Sequence, residues 1–254
     1  LLSVLASLSI LAFYSVVGGW TIDYLFKAAT FKFVNINQNE LNSLFSSIVS
    51  SQFEPILYLF IFLLATGLVV IAGVEKGIEK YSKIMMPALF IMVIIIAIRS
   101  ITLPGSAAGI SCLFKPDFSQ VTSKTVLDAM GQAFFSLSLG MGCILTYASY
   151  VNKRENIVNT SFLTAISDTL FALIAGLAIM PAVFAFGMQP SEGPGLVFVI
   201  LPHIFEQIPL GSILAILFFF ALFIAAITSS ISLFEVVVAY LKEEFKFTRR
   251  RSVI

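Results

Sequence analysis

The chain has 254 residues, of which 59% are hydrophobic and 11% charged. Soluble domains carry roughly 25% charged residues, so this composition excludes an ordinary soluble globular protein. A net charge of +1 provides no basic surface for nucleic acid and excludes that class of partner. The two cysteines, Cys112 and Cys143, lie in a loop and in an apolar segment, and we expect neither a disulfide framework nor a metal site from them.

Six segments are long and apolar enough to cross a bilayer, which takes about 20 mainly apolar residues. The sequence therefore predicts an all-α membrane protein with one transmembrane domain over residues 1–254. In chain order, the predicted spans are about 1–26, 55–73, 84–103, 126–150, 157–186 and 210–241. The polar connection 35–51 is expected to be irregular or a short helix, and the connection 103–117 a turn-rich crossing. A turn cluster and an apolar run interrupted by Pro202 predict a short outer hairpin over 190–208.

Basic residues divide the connections between the two sides of the membrane. Ten of the 15 lysines and arginines follow the second, fourth and sixth spans. The positive-inside rule predicts that these connections, and both ends of the chain, lie in the cytoplasm. We expect the membrane to be the plasma (inner) membrane. Because Leu1 is not methionine and already lies in an apolar run, we expect the sequence to be a piece of a longer chain.

The fourth span contains an interruption. Between Ser136 and Gly142 it holds two serines and two glycines in seven residues. Glycine lowers helix propensity by about 1 kcal/mol relative to alanine. An opened helix leaves polar backbone groups unpaired, which is tolerated only where the segment lines a cavity or is buried in protein, as at the binding sites of secondary transporters. The alternative interpretation is a packing notch, where small residues let another helix approach closely.

Polar residues inside three other spans are candidate partners for this interruption. Tyr14 lies midway along the first span, with Ile10 one turn earlier on the same face. Asp168 lies about one third of the way along the fifth span, and an intramembrane carboxylate indicates a functional site. The sixth span carries four hydroxyls in five residues, from Thr228 to Ser232. Such oxygens suit a hard cation such as Na⁺, although hydrogen bonds to the helix backbone or between helices would also account for them. No nucleophile–base pair accompanies Asp168, and the single histidine, His203, falls in the outer hairpin.

The run Phe-Phe-Ser-Leu-Ser-Leu-Gly-Met-Gly at 134–142, followed by Thr-Tyr-Ala-Ser-Tyr, resembles the sixth transmembrane helix of the neurotransmitter:sodium symporter family, in its bacterial amino-acid-transporter branch. Further stretches resemble other parts of the same family. Tyr14 with Trp20 resembles the third helix, and residues 195–205 resemble the fourth extracellular loop. Thr228-Ser-Ser230, followed by Glu243-Glu244, resembles the eighth helix and its exit. The resemblance implies helices three to eight of a twelve-helix, inverted-repeat transporter with an unwound sixth helix.

The resemblance also implies roles for individual residues. The residues implied to bind substrate are Ile10, Tyr14, Phe135, Ser136, Ser138, Met141, Ser229 and Leu233, with Tyr14 on the carboxylate and Phe135 as the outer gate. Two Na⁺ sites are implied, one with Ser136 and Asp168, the other with the Ala225 carbonyl, Thr228 and Ser229. The implied cytoplasmic gate is Ser149, Tyr150 and Glu243, and the pair Gly77 and Pro87 implies a fifth helix that unwinds to admit water to the second sodium.

The function implied for a complete chain is sodium-coupled symport of neutral, hydrophobic L-amino acids by alternating access, without an organic cofactor. Asp168 stands where some members have asparagine, and a fixed carboxylate beside Na⁺ implies that chloride is not needed. The alternatives are a channel- or receptor-like bundle whose hydroxyls only join helices, a membrane-embedded enzyme using Asp168, and an inactive truncated product. The sequence does not determine the oligomeric state.

Overall fold

The structure is a computed structural model that describes residues 1–72, 78–115, 117–149, 156–188 and 193–253. Within these ranges the chain is helical and contains no strand. The helices are α1 (Leu2–Ala29), α2 (Gln38–Ser50), α3 (Glu54–Ala72), α4 (Ile78–Ile101), α5 (Ala107–Phe114), α6 (Ser123–Ser136), α7 (Cys143–Ala148), α8 (Ile157–Ala185), α9 (Leu201–Glu206), α10 (Gly211–Glu244) and α11 (Arg249–Val253). A 3₁₀ turn (Phe118–Gln120) precedes α6, and a π-helical turn (Leu196–Ile200) leads into α9. Gly77, Tyr150 and the start of the predicted hairpin, 190–192, lie outside the described residues.

Helix ends differ from the predicted spans where polar residues flank apolar ones. The helix α4 begins at Ile78 rather than near residue 84, and α10 continues to Glu244 rather than ending near 241. Lysines and glutamates are good helix formers, so a helix continues beyond its apolar part. The connection predicted as a turn-rich crossing contains α5, and the polar connection after α1 forms α2. A capping box in which Asn37 and Glu40 exchange hydrogen bonds of 2.9 Å begins α2.

The apolar run that contains Pro202 is helical. The run forms one continuous helical stretch, from the π-helical turn into α9, with Pro202 in the first turn of α9. A proline is tolerated in the first turn of an α-helix because its ring already fixes a helical φ angle. The segment 196–206 is therefore a short helix followed by a turn at Gln207, and its apolar residues Phe198, Ile200 and Phe205 are buried.

Within the part of the chain that the structure describes, four helices are long and apolar enough to cross a membrane: α1, α8, α10 and residues Glu54–Ile71 of α3. The apolar part of α4 is shorter, Met86–Ile101, and α4 continues through Pro87. The fourth predicted span, 126–150, is divided into α6 and α7, as its serines and glycines suggest. Neither α6 nor α7 is long enough to cross the bilayer alone, so the non-helical residues between them lie at membrane depth. The protein has to supply hydrogen-bond partners for the polar backbone groups of these residues.

The helices pack around α1 and α10. The helix α1 contacts α10 and α3, while α4 contacts α8 and α10, and α5 lies against α8. A cluster of aromatic rings joins one end of α1 to the helical segment 196–206 and to α10: Tyr24 lies 4.8 Å from Phe198 and 5.3 Å from Phe219, centroid to centroid. Trp20 meets Phe198 edge-on at 5.9 Å. This cluster packs the segment 196–206 against α1 and α10.

The start of α10 depends on a glycine. An added Cβ at Gly211 would lie 1.6 Å from the carbonyl oxygen of Phe205, which belongs to the backbone of α9. We therefore expect Gly211→Ala to lower the thermal unfolding midpoint of the complete protein by several degrees, since overpacking against rigid backbone typically costs about 1–3 kcal/mol or more. The control is Gly131→Ala in α6, where a Cβ meets nothing within 4 Å. Equal midpoints for the two variants would contradict this close approach.

Candidate functional site

The interruption in the fourth span is an open, non-helical stretch between α6 and α7. Ser138, Gly140 and Gly142 have positive φ angles of 55°, 80° and 82°. Such angles turn the chain out of the helix, and they are unfavourable for residues other than glycine. The amide of Leu139 closes the end of α6 by donating to the Phe134 carbonyl at 2.8 Å. The stretch 137–142 is therefore a defined break rather than a small-residue notch in a continuous helix.

Asp168 lies beside this break. Ser136, the last residue of α6, donates a hydrogen bond from its hydroxyl to Asp168 Oδ1 on α8 at 2.6 Å. The Asp168 side chain is partly exposed in this chain, so its oxygens are accessible. The contact brings together the two residues predicted for the first Na⁺ site, with a carboxylate and a hydroxyl oxygen next to an open helix end.

The other side of the break packs against α1 and α10. The Met141 side chain is buried in a small apolar cluster with Leu11 and Leu233, and Ile10 packs against this cluster. Ile10, Met141 and Leu233 are three of the residues predicted to line a side-chain pocket. The structure therefore places them together, one on each of three separate chain segments.

Tyr14 and the hydroxyl cluster of α10 lie close together. The Tyr14 hydroxyl is near the side chain of Ser229. Thr228 donates from Oγ1 to the Ala225 carbonyl at 2.8 Å, so two of the oxygens predicted for the second Na⁺ site are adjacent. Thr228 is partly buried and Ser229 is exposed in this chain.

The remaining predicted residues lie farther from these contacts. Phe135 is 45% exposed on the last turn of α6, and Ser138 is partly buried within the break. Ser149 donates to the Thr146 carbonyl of its own helix at 2.6 Å, and Glu243 is exposed near the end of α10. The structure shows no contact joining Ser149 to Glu243 among the described residues, and Tyr150 lies outside them.

Three polar contacts near the site were not predicted. One involves the break and a second involves α7. Ser7 of α1, which is fully buried, donates to the Met141 carbonyl within the break. The Tyr147 hydroxyl of α7 pairs with Ser232 Oγ of α10 at 2.9 Å. Both contacts involve hydroxyls in apolar spans, which is the signal that singled out Tyr14 and the cluster from Thr228 to Ser232.

The third contact is an ion pair of α10. Glu235 is 4% exposed and accepts two hydrogen bonds from Arg249 of α11, at 3.1 and 2.6 Å. Arg249 Nε also donates to the Val70 carbonyl of α3 at 2.7 Å. Glu235 is an acid within an apolar span, so the reasoning that singled out Asp168 applies to it as well. The pair joins α3, α10 and α11.

A helix opened in mid-span, with an intramembrane carboxylate and hydroxyls from neighbouring helices around it, defines the class of secondary transporters with discontinuous helices. Related proteins agree with this class. A profile of the Sodium:neurotransmitter symporter family matches residues 28–254. The chain is 42% identical over 238 residues to YhdH of Bacillus subtilis (strain 168), described as an uncharacterized sodium-dependent transporter, covering 94% of this chain and 53% of that protein. It is 37% identical to an uncharacterized sodium-dependent transporter of Haemophilus influenzae, covering 100% of this chain and 56% of that protein.

A solved structure is also similar. The crystal structure of MhsT in complex with L-phenylalanine matches with a TM-score of 0.95 and 43% identity, over 99% of this chain and 57% of that one. The chain belongs to the sodium:neurotransmitter symporter family, whose members are multi-pass membrane transporters rather than enzymes. It spans about half the length of the curated relatives it matches.

Proposed function

We propose that the complete protein is a sodium-coupled symporter of neutral, hydrophobic L-amino acids that works by alternating access and does not require chloride. The observation that carries this proposal is the bond between Ser136, at the open end of α6, and Asp168 of α8. It joins a broken helix to an intramembrane carboxylate, the combination expected where a substrate and its coupling ion meet.

The substrate class follows from the apolar cluster around Met141. Ile10, Met141 and Leu233 provide apolar surface from α1, the break and α10. An amino-acid side chain in contact with that surface gains stability in proportion to the apolar area it buries. The similar MhsT structure contains L-phenylalanine, a neutral and hydrophobic amino acid. In this proposal Tyr14 binds the substrate carboxylate, Ser136, Ser138 and Ser229 line the site, and Phe135 closes over it.

Two Na⁺ sites are proposed. Ser136 and Asp168 would contribute to the first, while the Ala225 carbonyl, Thr228 and Ser229 would contribute to the second. All of these ligands are oxygens, which hard cations prefer. The Asp168 carboxylate supplies a fixed negative charge beside the first Na⁺, and this is the reason for proposing chloride-independent transport.

The proposal also includes the orientation of the protein in the membrane and the residues that close the site on each side. In this proposal the protein spans the plasma (inner) membrane with both ends of this chain in the cytoplasm, and the distribution of basic residues supports that orientation. Phe135 then gates the site from outside, and Ser149, Tyr150 and Glu243 from the cytoplasm. Gly77 and Pro87 would allow the cytoplasmic start of α4 to unwind and let water reach the second Na⁺.

The test is sodium-dependent binding of labelled L-phenylalanine to the complete protein in lipid. We expect saturable binding that requires Na⁺ and persists without Cl⁻. Thr228→Val should raise the Na⁺ concentration for half-maximal binding by about tenfold, the equivalent of about 1.4 kcal/mol, because it removes an oxygen ligand. A channel- or receptor-like bundle would show no such sodium-dependent binding.

The matched control is Thr66→Val in α3. Thr66 is fully buried and, like Thr228, donates to a carbonyl of its own helix, that of Phe62 at 2.9 Å, but it is not part of the hydroxyl cluster. We expect its Na⁺ dependence to match the wild type. If Thr228→Val behaves like Thr66→Val, Thr228 is not a sodium ligand.

A further inference from the structure

The break between α6 and α7 is attached to α1 through one side chain. Ser7 has no exposed surface, and its hydroxyl donates to the Met141 carbonyl, 134 residues later in the chain. The Ser7 side chain also lies near that of Cys143, the first residue of α7. A polar group at the break that lacked a partner in this apolar environment would be costly. Ser7 therefore provides the Met141 carbonyl with a partner that an intact helix would otherwise supply.

The position of Ser7 on α1 links this contact to the candidate site. Ile10, Leu11 and Tyr14 follow it at spacings of three, four and seven residues, which lie on one helix face. Leu11 and Ile10 pack in the same apolar cluster as the Met141 side chain. A shift of the Met141 backbone would therefore move the Met141 side chain relative to the surface that Ile10 and Leu11 present.

We propose that Ser7 is a positioning residue: its hydroxyl holds the Met141 carbonyl and so fixes the place of the Met141 side chain in the wall of the amino-acid site. The proposal rests on the proposed function for the location of that site. Ser7 itself lies behind the wall and acts on the substrate through Met141. It sets how well the wall fits a large apolar side chain, while the sodium ligands at Asp168 and Thr228 belong to other segments.

The first test measures hydrogen exchange in the complete protein. In Ser7→Ala we expect the hydrogen-bonded amides on either side of the break, Leu139 to Phe134 and Thr146 to Gly142, to exchange about fivefold to tenfold faster than in the wild type. Ser15→Ala is the matched control, because Ser15 is also fully buried in α1 but donates to Leu11 of its own helix, at 2.6 Å. Equal exchange in Ser7→Ala and wild type, or an equal increase in Ser15→Ala, overturns the proposal.

The second test separates positioning from general stability. Ser7→Ala should weaken binding of L-phenylalanine by about fivefold and binding of L-alanine by less than about twofold, because only the larger side chain reaches the Met141 wall. The Na⁺ dependence should stay within about twofold of the wild type. Equal weakening for both amino acids would show that Ser7 only supports the fold, which overturns the proposal.

A third variant covers the case in which Ser7→Ala does not fold. Ser7→Cys keeps a side chain of similar shape with a weaker donor, and we expect it to lie between wild type and alanine in exchange and in L-phenylalanine affinity. Wild-type values for Ser7→Cys in both measurements would show that the hydroxyl bond has no role. If the wild type binds no amino acid, the proposed function fails, whereas the exchange result still decides whether Ser7 holds the break.

Discussion

Asp168→Asn is expected to reduce sodium-dependent binding of L-phenylalanine in chloride-free medium by about 30-fold to 100-fold, and added chloride should restore much of the loss. The carboxylate of Asp168 lies 2.6 Å from the Ser136 hydroxyl at the open end of α6, and asparagine keeps the shape while removing the charge. A hydrogen bond to a charged group is worth about 1.5–3 kcal/mol, which converts to about 10-fold to 150-fold in affinity, and the expected loss lies within that range. Binding would be measured with labelled amino acid at a series of Na⁺ and Cl⁻ concentrations.

A matched variant exists in α6. Asp128 also bonds to a neighbouring side chain, Lys124 at 2.6 Å, but both side chains are largely exposed. Asp128→Asn should therefore leave the Na⁺ and Cl⁻ dependence of binding unchanged, since an exposed pair of this kind contributes little. An Asp168→Asn protein that binds with wild-type Na⁺ dependence in the absence of chloride would remove Asp168 from the first Na⁺ site.

Gly142→Ala is expected to weaken amino-acid binding by about 100-fold. Its φ angle of 82° costs an alanine roughly 1–2 kcal/mol. In addition, the new Cβ would lie 2.9 Å from Val236 Cγ1 of α10 and 3.4 Å from Ser3 Cβ of α1, so the break would have to shift. Binding of L-phenylalanine at saturating Na⁺ measures the change.

Gly140→Ala distinguishes the two causes. Gly140 has a similar φ of 80°, but a Cβ there meets nothing within 4 Å. It should therefore show only the conformational cost, about a tenfold loss. Equal losses for the two variants would mean that the packing of Gly142 between α1 and α10 does not matter for the site.

Much of the fold followed from the sequence because lipid imposes a simple rule on apolar spans. Residues 1–26 and 157–186 were predicted as spans, and α1 and α8 occupy nearly the same ranges. The break at Ser136 to Gly142 was also predicted, because glycines and serines crowded into the middle of an apolar span weaken the helix there. The predicted helix ends were less accurate where polar residues flank the apolar span, as at Ile78. There the helix continues beyond the apolar residues because the polar residues have high helix propensity.

The partners within the site were harder to predict. The resemblance to a family indicated that Ser136 and Asp168 lie together, but a bond between side chains of two separate spans leaves no local pattern. Ser7 is one serine among several in α1, and only the packing of α1 against the break selects it. Glu235 had a local signal, an acid in an apolar span, but its partner Arg249 lies in a separate short helix after the span ends.

During synthesis, the break and the residues that flank it, from Ser136 to Tyr147, leave the ribosome before their side-chain partners on α8 and α10 exist. Ser7 has been made by then, Asp168 follows Ser136 by 32 residues, and Ser232, the partner of Tyr147, follows by 85. At roughly 5–20 residues per second, the last of these intervals is about 4–17 seconds. In that time the open backbone has α1 as its neighbour but not α10, and lipid cannot satisfy its polar groups. We therefore expect membrane insertion of the fourth span to require other partners for these polar groups until α10 is in place, and Ser7 is one that has already been made.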